Sequence, residues 1–393
     1  MLGTSQGLSF QFTKEQDDFR RSLRAFVDDQ LPKDYCREVE AREDFPWDLR
    51  DRLADHGLYG IGVSPEFGGQ GGDIVDQTIV AEELSRTMAG LLWIWGVSSH
   101  SGARSLDLYG TEAQKERYLP PLAEGKLLVA MAMTEPDGGT DLLGSMRTKA
   151  ERVDGGWRVN GTKMWSTMAH VADVILLGAR TKTNASRPSD GITLFLCDAK
   201  SPGITATPIP KLGMRSLGSC EVLFEDVFVP DDDILGEPDQ GWSHLTQTFN
   251  NERLMVAGLC CGAMQGVLED MVDYSLKRVA FGKPIGQFQV IQHMIADTHI
   301  DLETARLHTY RAAWNQVQGN LNGVESTMAK IVASDAAIKA ADRGIQILGG
   351  YGYSTEFDMQ RYWRDLRLYT IGPISNEMGR NYVAEQLGLP RSF

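Results

Sequence analysis

The sequence predicts an α+β chain built as three modules, helical, then strand-rich, then helical. Three observations predict it. Apolar residues recur at helical spacing up to about Gly125. Residues 127–236 change to short Val-, Ile-, Thr- and Phe-rich segments separated by Gly, Pro, Asp and Asn. Helical spacing returns from Trp242 onward. Strands gathered in one block argue against alternating βαβ units. A chain of 393 residues has room for two or three packed domains. The expected boundaries are 1–126, 127–237 and 238–393.

In order along the chain, Thr13 with Gln16 makes a capping-box pattern, in which two side chains satisfy first-turn backbone N–H groups. Phe19, Leu23, Phe26, Val27 and Leu31 then repeat at helical spacing. A glycine-rich loop at 65–72 punctuates this first module. In the second, residues 149–153, the triplet Asp154-Gly155-Gly156 and residues 157–160 predict a hairpin. Further strands are expected at 174–177, 192–197 and 222–229. The third module predicts long helices at 245–277, 290–317 and 326–348, then two shorter ones. No fixed-period repeat is present.

Composition narrows the function. A formal charge of −14 argues against nucleic-acid binding, which needs clustered positive charge. No Lys/Arg block suggests a membrane surface either. Cys36, Cys197, Cys220, Cys260 and Cys261 show no CxxC or CxxH spacing, so reduced thiols are expected. The histidines show no metal-ligand pattern, and no metal is expected. No signal-peptide pattern and no uninterrupted run of about 18 apolar residues is seen. The cytoplasm of a bacterium, rather than the mitochondrial matrix, is the expected location.

Four segments carry chemistry. The stretch 131–141, Met-Ala-Met-Thr-Glu-Pro-Asp-Gly-Gly-Thr-Asp, lets backbone approach a ligand at its glycines and offers hydroxyls and N–H groups to a polar ring edge. A plain turn between strands reads equally well from these residues alone. In 160–167, Trp165 beside Ser166 and Thr167 can stack on a flat ring and bond its edge, or be a core Trp. Arg278 and Phe281, with Gln289 beyond, can serve pyrophosphate and adenine, or be a solvated helix end. The stretch 346–356, Gln-Ile-Leu-Gly-Gly-Tyr-Gly-Tyr-Ser-Thr-Glu, ends a helix with free backbone groups. It lacks the Walker lysine, and no GxGxxG opens a βαβ unit.

Together, and in this order, the four segments resemble those of the acyl-CoA dehydrogenase flavoprotein family, including its two diagnostic motifs at 132–144 and 346–365. Supporting stretches at 57–71, 110–120 and 215–230 extend the likeness over almost the whole chain. The resemblance implies an N-terminal helical domain, a middle β-barrel-like domain and a C-terminal four-helix bundle. It also implies FAD, an acyl-CoA substrate, an electron-transfer flavoprotein as partner and a homotetramer. Position by position, it implies that Met131, Met133, Thr134, Gly139, Thr140, Trp165 and Thr167 line the isoalloxazine. Arg278, Phe281, Gln289, Gln346, Gly349 and Gly350 would hold the ADP half across a subunit boundary. Ser375 and Glu377 match late flavin-contacting positions, and Thr140, Asn250 and Arg253 match substrate-contacting ones.

The implied reaction removes a proton α to a thioester and passes the β-hydride to flavin N5, which requires a strong base. Many relatives carry that Glu near the C-terminus, where this sequence has Pro373. A subset resembling isovaleryl-CoA dehydrogenase places it on a bundle helix just before an Arg. Here that pair is Glu252-Arg253, with Arg253 lying 25 residues before Arg278. Glu252 is therefore the expected base, with Glu377 and Glu135 as weaker rivals. Pro373 also lacks the N–H that the family uses on the thioester oxygen. Carrier-protein-bound acyl groups, the reductive direction, and a flavin monooxygenase or lyase on the same fold stay open. Trp93 and Trp95 are expected near the closed end of the acyl pocket, favouring a short, branched or cyclic chain.

Overall fold

The computed structural model describes residues 11–182, 186–320 and 323–391. The first module consists of α1 (Lys14–Gln30), α2 (Lys33–Arg42), α3 (Trp47–Asp55), α4 (Ile74–Met88), α5 (Trp93–Gly96), α6 (Ala103–Tyr109) and α7 (Glu112–Ala123). The Thr13–Gln16 capping box forms, and Asp73 and Thr111 cap α4 and α7 in the same way. Leu23, Val27 and Leu31 face the core, with Phe19 and Phe26 packed at its edge.

The second module contains β1 (Val129–Ala132), the short α8 (Leu142–Ser145), β2 (Lys149–Val153), β3 (Gly156–Thr167), β4 (Val174–Arg180), β5 (Ile192–Asp198), β6 (Ile204–Ile209), β7 (Ser219–Pro230) and β8 (Ile234–Leu235). They form one eight-stranded sheet ordered β6-β7-β3-β2-β4-β5-β8, with β1 parallel to β4. The β2–β3 turn is tighter than the sequence suggests. Gly156 pairs with Val153, so Asp154 and Gly155 alone make the turn, with Gly155 at φ 72°. The strands that sequence patterns miss are β1, β6 and β8. β8 spans two residues, β1 reads Val-Ala-Met-Ala without β-branched enrichment, and β6 is a largely exposed edge strand containing Pro208.

The third module begins with α9 (Gly241–Lys277), followed by a small hairpin of β9 (Val279–Ala280) and β10 (Lys283–Pro284). Then come α10 (Gln289–Val317), α11 (Gly323–Leu348), α12 (Gly350–Tyr353), α13 (Met359–Leu366) and α14 (Asn376–Gln386). By length and composition α9 could cross a membrane, but 72% of its apolar window is buried inside the protein. It is the central core helix.

Glycine spacing explains how the first and third modules dock. Gly258, Gly262 and Gly266 on α9 face Thr78, Glu82 and Arg86 of α4. A Cβ at Gly262 would stand 1.9 Å from the Glu82 carbonyl oxygen, and one at Gly266 2.1 Å from that of Arg86. Only glycine permits this backbone-to-backbone contact. The same crossing buries Glu82, which accepts from Arg20 (2.9 Å), Arg306 (2.7 Å) and Tyr310 (2.6 Å). Paired and hydrogen-bonded in this way, a buried carboxylate is tolerated.

The end of the second diagnostic motif is also structural. Arg361 is fully buried, pairs with Asp358 at 2.9 Å and donates to the Thr87 carbonyl at 2.8 Å. Asp365 accepts from the Gly90 amide (3.1 Å) and the Met214 amide (2.8 Å). These two residues fasten α13 to the other modules.

Candidate active site

Glu252 sits in the fourth turn of α9, half-buried, on the helix against which α11 packs. Burial pushes its carboxyl up to about 7, against the pull of the Arg253 and Lys330 charges. Among the described residues the carboxylate has no hydrogen bond and no ion-pair contact. The side chains two residues before it and one after it bond to each other rather than to it. Asn250 Oδ1 accepts from Arg253 Nη1 (2.9 Å) and from Ser326 Oγ (3.2 Å). The Arg253 guanidinium stands 5.9 Å from the Tyr382 ring centre and keeps a buried Nε without a partner. An enclosed carboxylate, a cation with a spare donor and an amide thus meet at one place.

The turn at 371–376 is tied to α11, the helix packed on α9. The Gly372–Pro373 peptide is cis and Pro373 is exposed. Lys330, fully buried on α11, donates to the Ile374 carbonyl (2.6 Å) and to Asn376 Oδ1 (2.8 Å). Ser375 caps α14, its hydroxyl accepting from the Met378 amide at 3.2 Å. Glu377 follows in the first turn of α14 and is exposed.

The strand side of the site comes from β1 and β3. Met131 on β1 shares an apolar cluster with Phe249, which lies one turn before Glu252. Met133 differs from expectation. Its side chain turns into the sheet, where a Cβ on Gly178 would lie 2.4 Å from its terminal methyl, so only its backbone remains for a ligand. Trp165 is 57% exposed at φ 64°, thrown out of the ladder where the β3–β7 register shifts between Lys163 and Ser166. Gly139, at φ 121°, opens to empty space, and Thr140 beside it is exposed. Thr134 and Thr167 are half-buried, and the Ser166 hydroxyl is buried without a partner.

Glu135 has a different environment. It accepts from the amides of Arg147 (2.6 Å) and Thr148 (2.9 Å) and from Lys163 Nζ (2.9 Å). Burial alone would raise its carboxyl, but the Lys163 charge and these bonds outweigh it and hold it below the ordinary value. Glu135 closes the 135–148 loop.

The remaining predicted residues gather at the far end of the third module. Arg278 caps α9, Phe281 is 96% exposed, and Gln289 opens α10. Gln346 lies on the last turns of α11, followed by Gly349 at φ 61°. A Cβ at Gly349 or Gly350 would meet nothing within 4 Å. Tyr274 and Tyr351, 6.5 Å apart, join the α9 and α11 ends.

A stackable indole, open glycine backbone, an orphaned hydroxyl and exposed Arg and aromatic groups suit a flavin dinucleotide. Trp95 does not reach the site, since it donates to the Leu58 carbonyl at 2.9 Å within the N-terminal core. Trp93 stands beside α9, next to Gly96 and Met255, and donates to the Tyr369 hydroxyl at 3.0 Å. Sequence reasoning missed Lys330. Its signal is a lone lysine on the Ala-rich buried face of α11, between Thr327 and Ser334.

Residues 13–126, 130–227 and 239–388 match the family profiles of the acyl-CoA dehydrogenase N-terminal, middle and C-terminal domains, respectively. A mitochondrial isovaleryl-CoA dehydrogenase of Arabidopsis thaliana is 35% identical over 98% of this chain and 94% of its own. Subunit CarC of the caffeyl-CoA reductase-Etf complex of Acetobacterium woodii is 36% identical over 92% of this chain and 94% of its own. A solved glutaryl-coenzyme A dehydrogenase in complex with glutaryl-CoA superposes with a TM-score of 0.93 at 32% identity, covering 98% of both chains.

Proposed function

Because the chain belongs to the acyl-CoA dehydrogenase family, FAD-dependent oxidoreductases acting on CH–CH groups, we propose that Glu252 is the base that removes the α-proton of its acyl thioester. The observation that carries this reading is a half-buried carboxylate with no partner among the described residues, raised to about 7 by burial. A base poised near the working pH is ionised often enough to act and basic enough to take a weakly acidic proton. The bound flavin supplies the hydride acceptor, so that the substrate loses a proton from Cα and a hydride from Cβ and leaves as the enoyl thioester. Arg253, through its free Nε, Asn250 and Thr140 contact the CoA-bearing substrate.

Met131, Thr134, Gly139, Thr140, Trp165 and Thr167, with the Met133 backbone, form the ring side of the flavin site, and Ser375 and Glu377 border it. The ADP half is a matter of distance. Arg278 lies 26 residues beyond Glu252 on one straight helix, about 39 Å along its axis. One dinucleotide cannot touch both ends. Arg278, Phe281, Gln289, Gln346, Gly349 and Gly350 therefore serve a flavin whose ring lies in a neighbouring subunit. This favours a homo-oligomer, and a tetramer is the form we propose, with an electron-transfer flavoprotein as acceptor.

The reductive direction is a second reading, favoured by the similarity to a caffeyl-CoA reductase subunit. Anaerobic titration with a panel of acyl-CoAs separates them. Bleaching of the flavin by a saturated acyl-CoA supports dehydrogenation. A pre-reduced enzyme reoxidised only by an enoyl-CoA, with no bleaching by any saturated thioester, supports the reverse. Failure of both would overturn the thioester assignment.

A further inference from the structure

Lys330 is a fully buried cation that makes no ion pair among the described residues. Its ammonium spends two of three donors on neutral oxygens, the Ile374 carbonyl and Asn376 Oδ1. Asn376 is itself locked, its amide donating to Ser334 Oγ (2.9 Å) and Asp335 Oδ1 (2.7 Å). A neutral donor could make the two bonds without the several kcal/mol it costs to desolvate a charge. What the ammonium adds is its field.

The titratable groups facing Lys330 are Cys260 and Arg253 from α9, Asp335 on its own helix and Glu377 from α14. Those facing Glu252 are Arg253 on its own helix and Lys330 from α11. Asp335 is already engaged by Arg380 and Asn376, and Glu377 is exposed to water. Glu252, unpartnered among the described residues on the facing helix α9, feels the Lys330 charge as the smaller of two pulls, after that of Arg253.

We propose that Lys330 is a positioning residue for the reaction: it clamps the 371–376 turn, which carries Pro373, onto α11 and holds a positive charge beside Glu252. The inference rests on Glu252 being the base. It gives the departure at Pro373 a counterpart, because the turn that lacks one N–H is fastened at the next carbonyl. Burial lowers the Lys330 ammonium to about 8, so the charge is present through neutrality and is lost as pH rises through about 8.

The test compares Lys330→Met and Lys330→Arg holoenzymes with the parent, reading two quantities. The first is the pH dependence of flavin reduction by a saturated acyl-CoA. Glu252 must be ionised to accept a proton, so the rate is lost as pH falls through its pKa. Removing a nearby positive charge raises that pKa. Lys330→Met should move the acid limb up by at most about one unit, up to about fivefold slower near pH 7, while Lys330→Arg keeps it near the parent value. The second is amide hydrogen exchange of residues 374–376, which should quicken in Lys330→Met. If Lys330→Met does not fold, Lys330→Gln removes the charge while leaving a neutral donor for the two oxygens. The limb should then rise with exchange closer to the parent's. A folded Lys330→Met, or a Lys330→Gln in its place, whose acid limb stays at the parent pH overturns the inference, as does unchanged exchange in Lys330→Met. Glu252→Gln, measured alongside, separates the two readings: if it reduces flavin at the parent rate, the base assignment itself falls.

Discussion

Glu135 in the strand module and Glu252 in the helical module are both withdrawn from water, yet they titrate in opposite directions. Around Glu135 the loop folds back so that two amides and the buried Lys163 point at the carboxylate, and its charge is the stable form. Around Glu252 the neighbouring charges face other groups, and burial prevails. A satisfied carboxylate is cement. An unsatisfied one has free energy to gain from a proton. The difference lies in what the surrounding backbone was free to donate: an irregular loop has spare N–H groups, whereas those beside Glu252 are already spent within α9.

That contrast can be broken most directly by removing one charge at a time. Glu252→Gln should leave thioester binding and folding intact while flavin reduction falls by about 10²–10⁴. Stopped-flow bleaching under anaerobic conditions measures it, and parental rates would assign the base elsewhere. Glu135→Gln should do the reverse. It leaves the fully buried Lys163 without its carboxylate, costing about 3–5 kcal/mol of stability, visible as a lower Tm. A Tm equal to the parent's would mean that Lys163 finds another acceptor or is neutral.

Three further measurements sharpen the comparison. Between pH 6 and 8 the rate of flavin reduction should rise about tenfold as Glu252, near 7, loses its proton. Glu135, held below its ordinary value, stays ionised throughout and adds nothing to that slope. A flat profile would contradict the raised carboxyl. If Arg278 serves a neighbour's cofactor as proposed, Arg278→Ala should lower FAD retention and oligomer stability together, by a few-fold each. Unchanged FAD occupancy on gel filtration would remove that role. Glu377→Gln should have the smallest effect. The residue is exposed, so stability should stay within about 0.5 kcal/mol, with flavin affinity shifting more than the reduction rate.

Much of the architecture was legible in one dimension. Helical periodicity, the Thr13–Gln16 box and the Val- and Ile-rich strands depend on residues a few positions apart, and local spacing encodes them. The chemistry-bearing segments were legible for the same reason: a glycine pair, a Trp beside hydroxyls and a Glu-Arg pair are contiguous patterns. Short strands such as β1 and β8 were not, because two to four residues carry too little period, and pairing across the sheet holds them in place.

What only the folded chain decided is everything that depends on partners distant in sequence. Met133 and Trp165 both read as ring-lining residues, and one turned into the sheet while the other was thrown outward by a register shift. Trp93 and Trp95 parted in the same way, one to Tyr369 and one to Leu58. Residue type announced three candidate glutamates, but their environments separated them: Lys163 stands 28 positions from Glu135, and Lys330 stands 78 from Glu252. A pKa is set by burial and by charges in space. Neither is a property of neighbouring letters, so the sequence by itself could nominate Glu252, while the tertiary structure alone gave it the environment of a base.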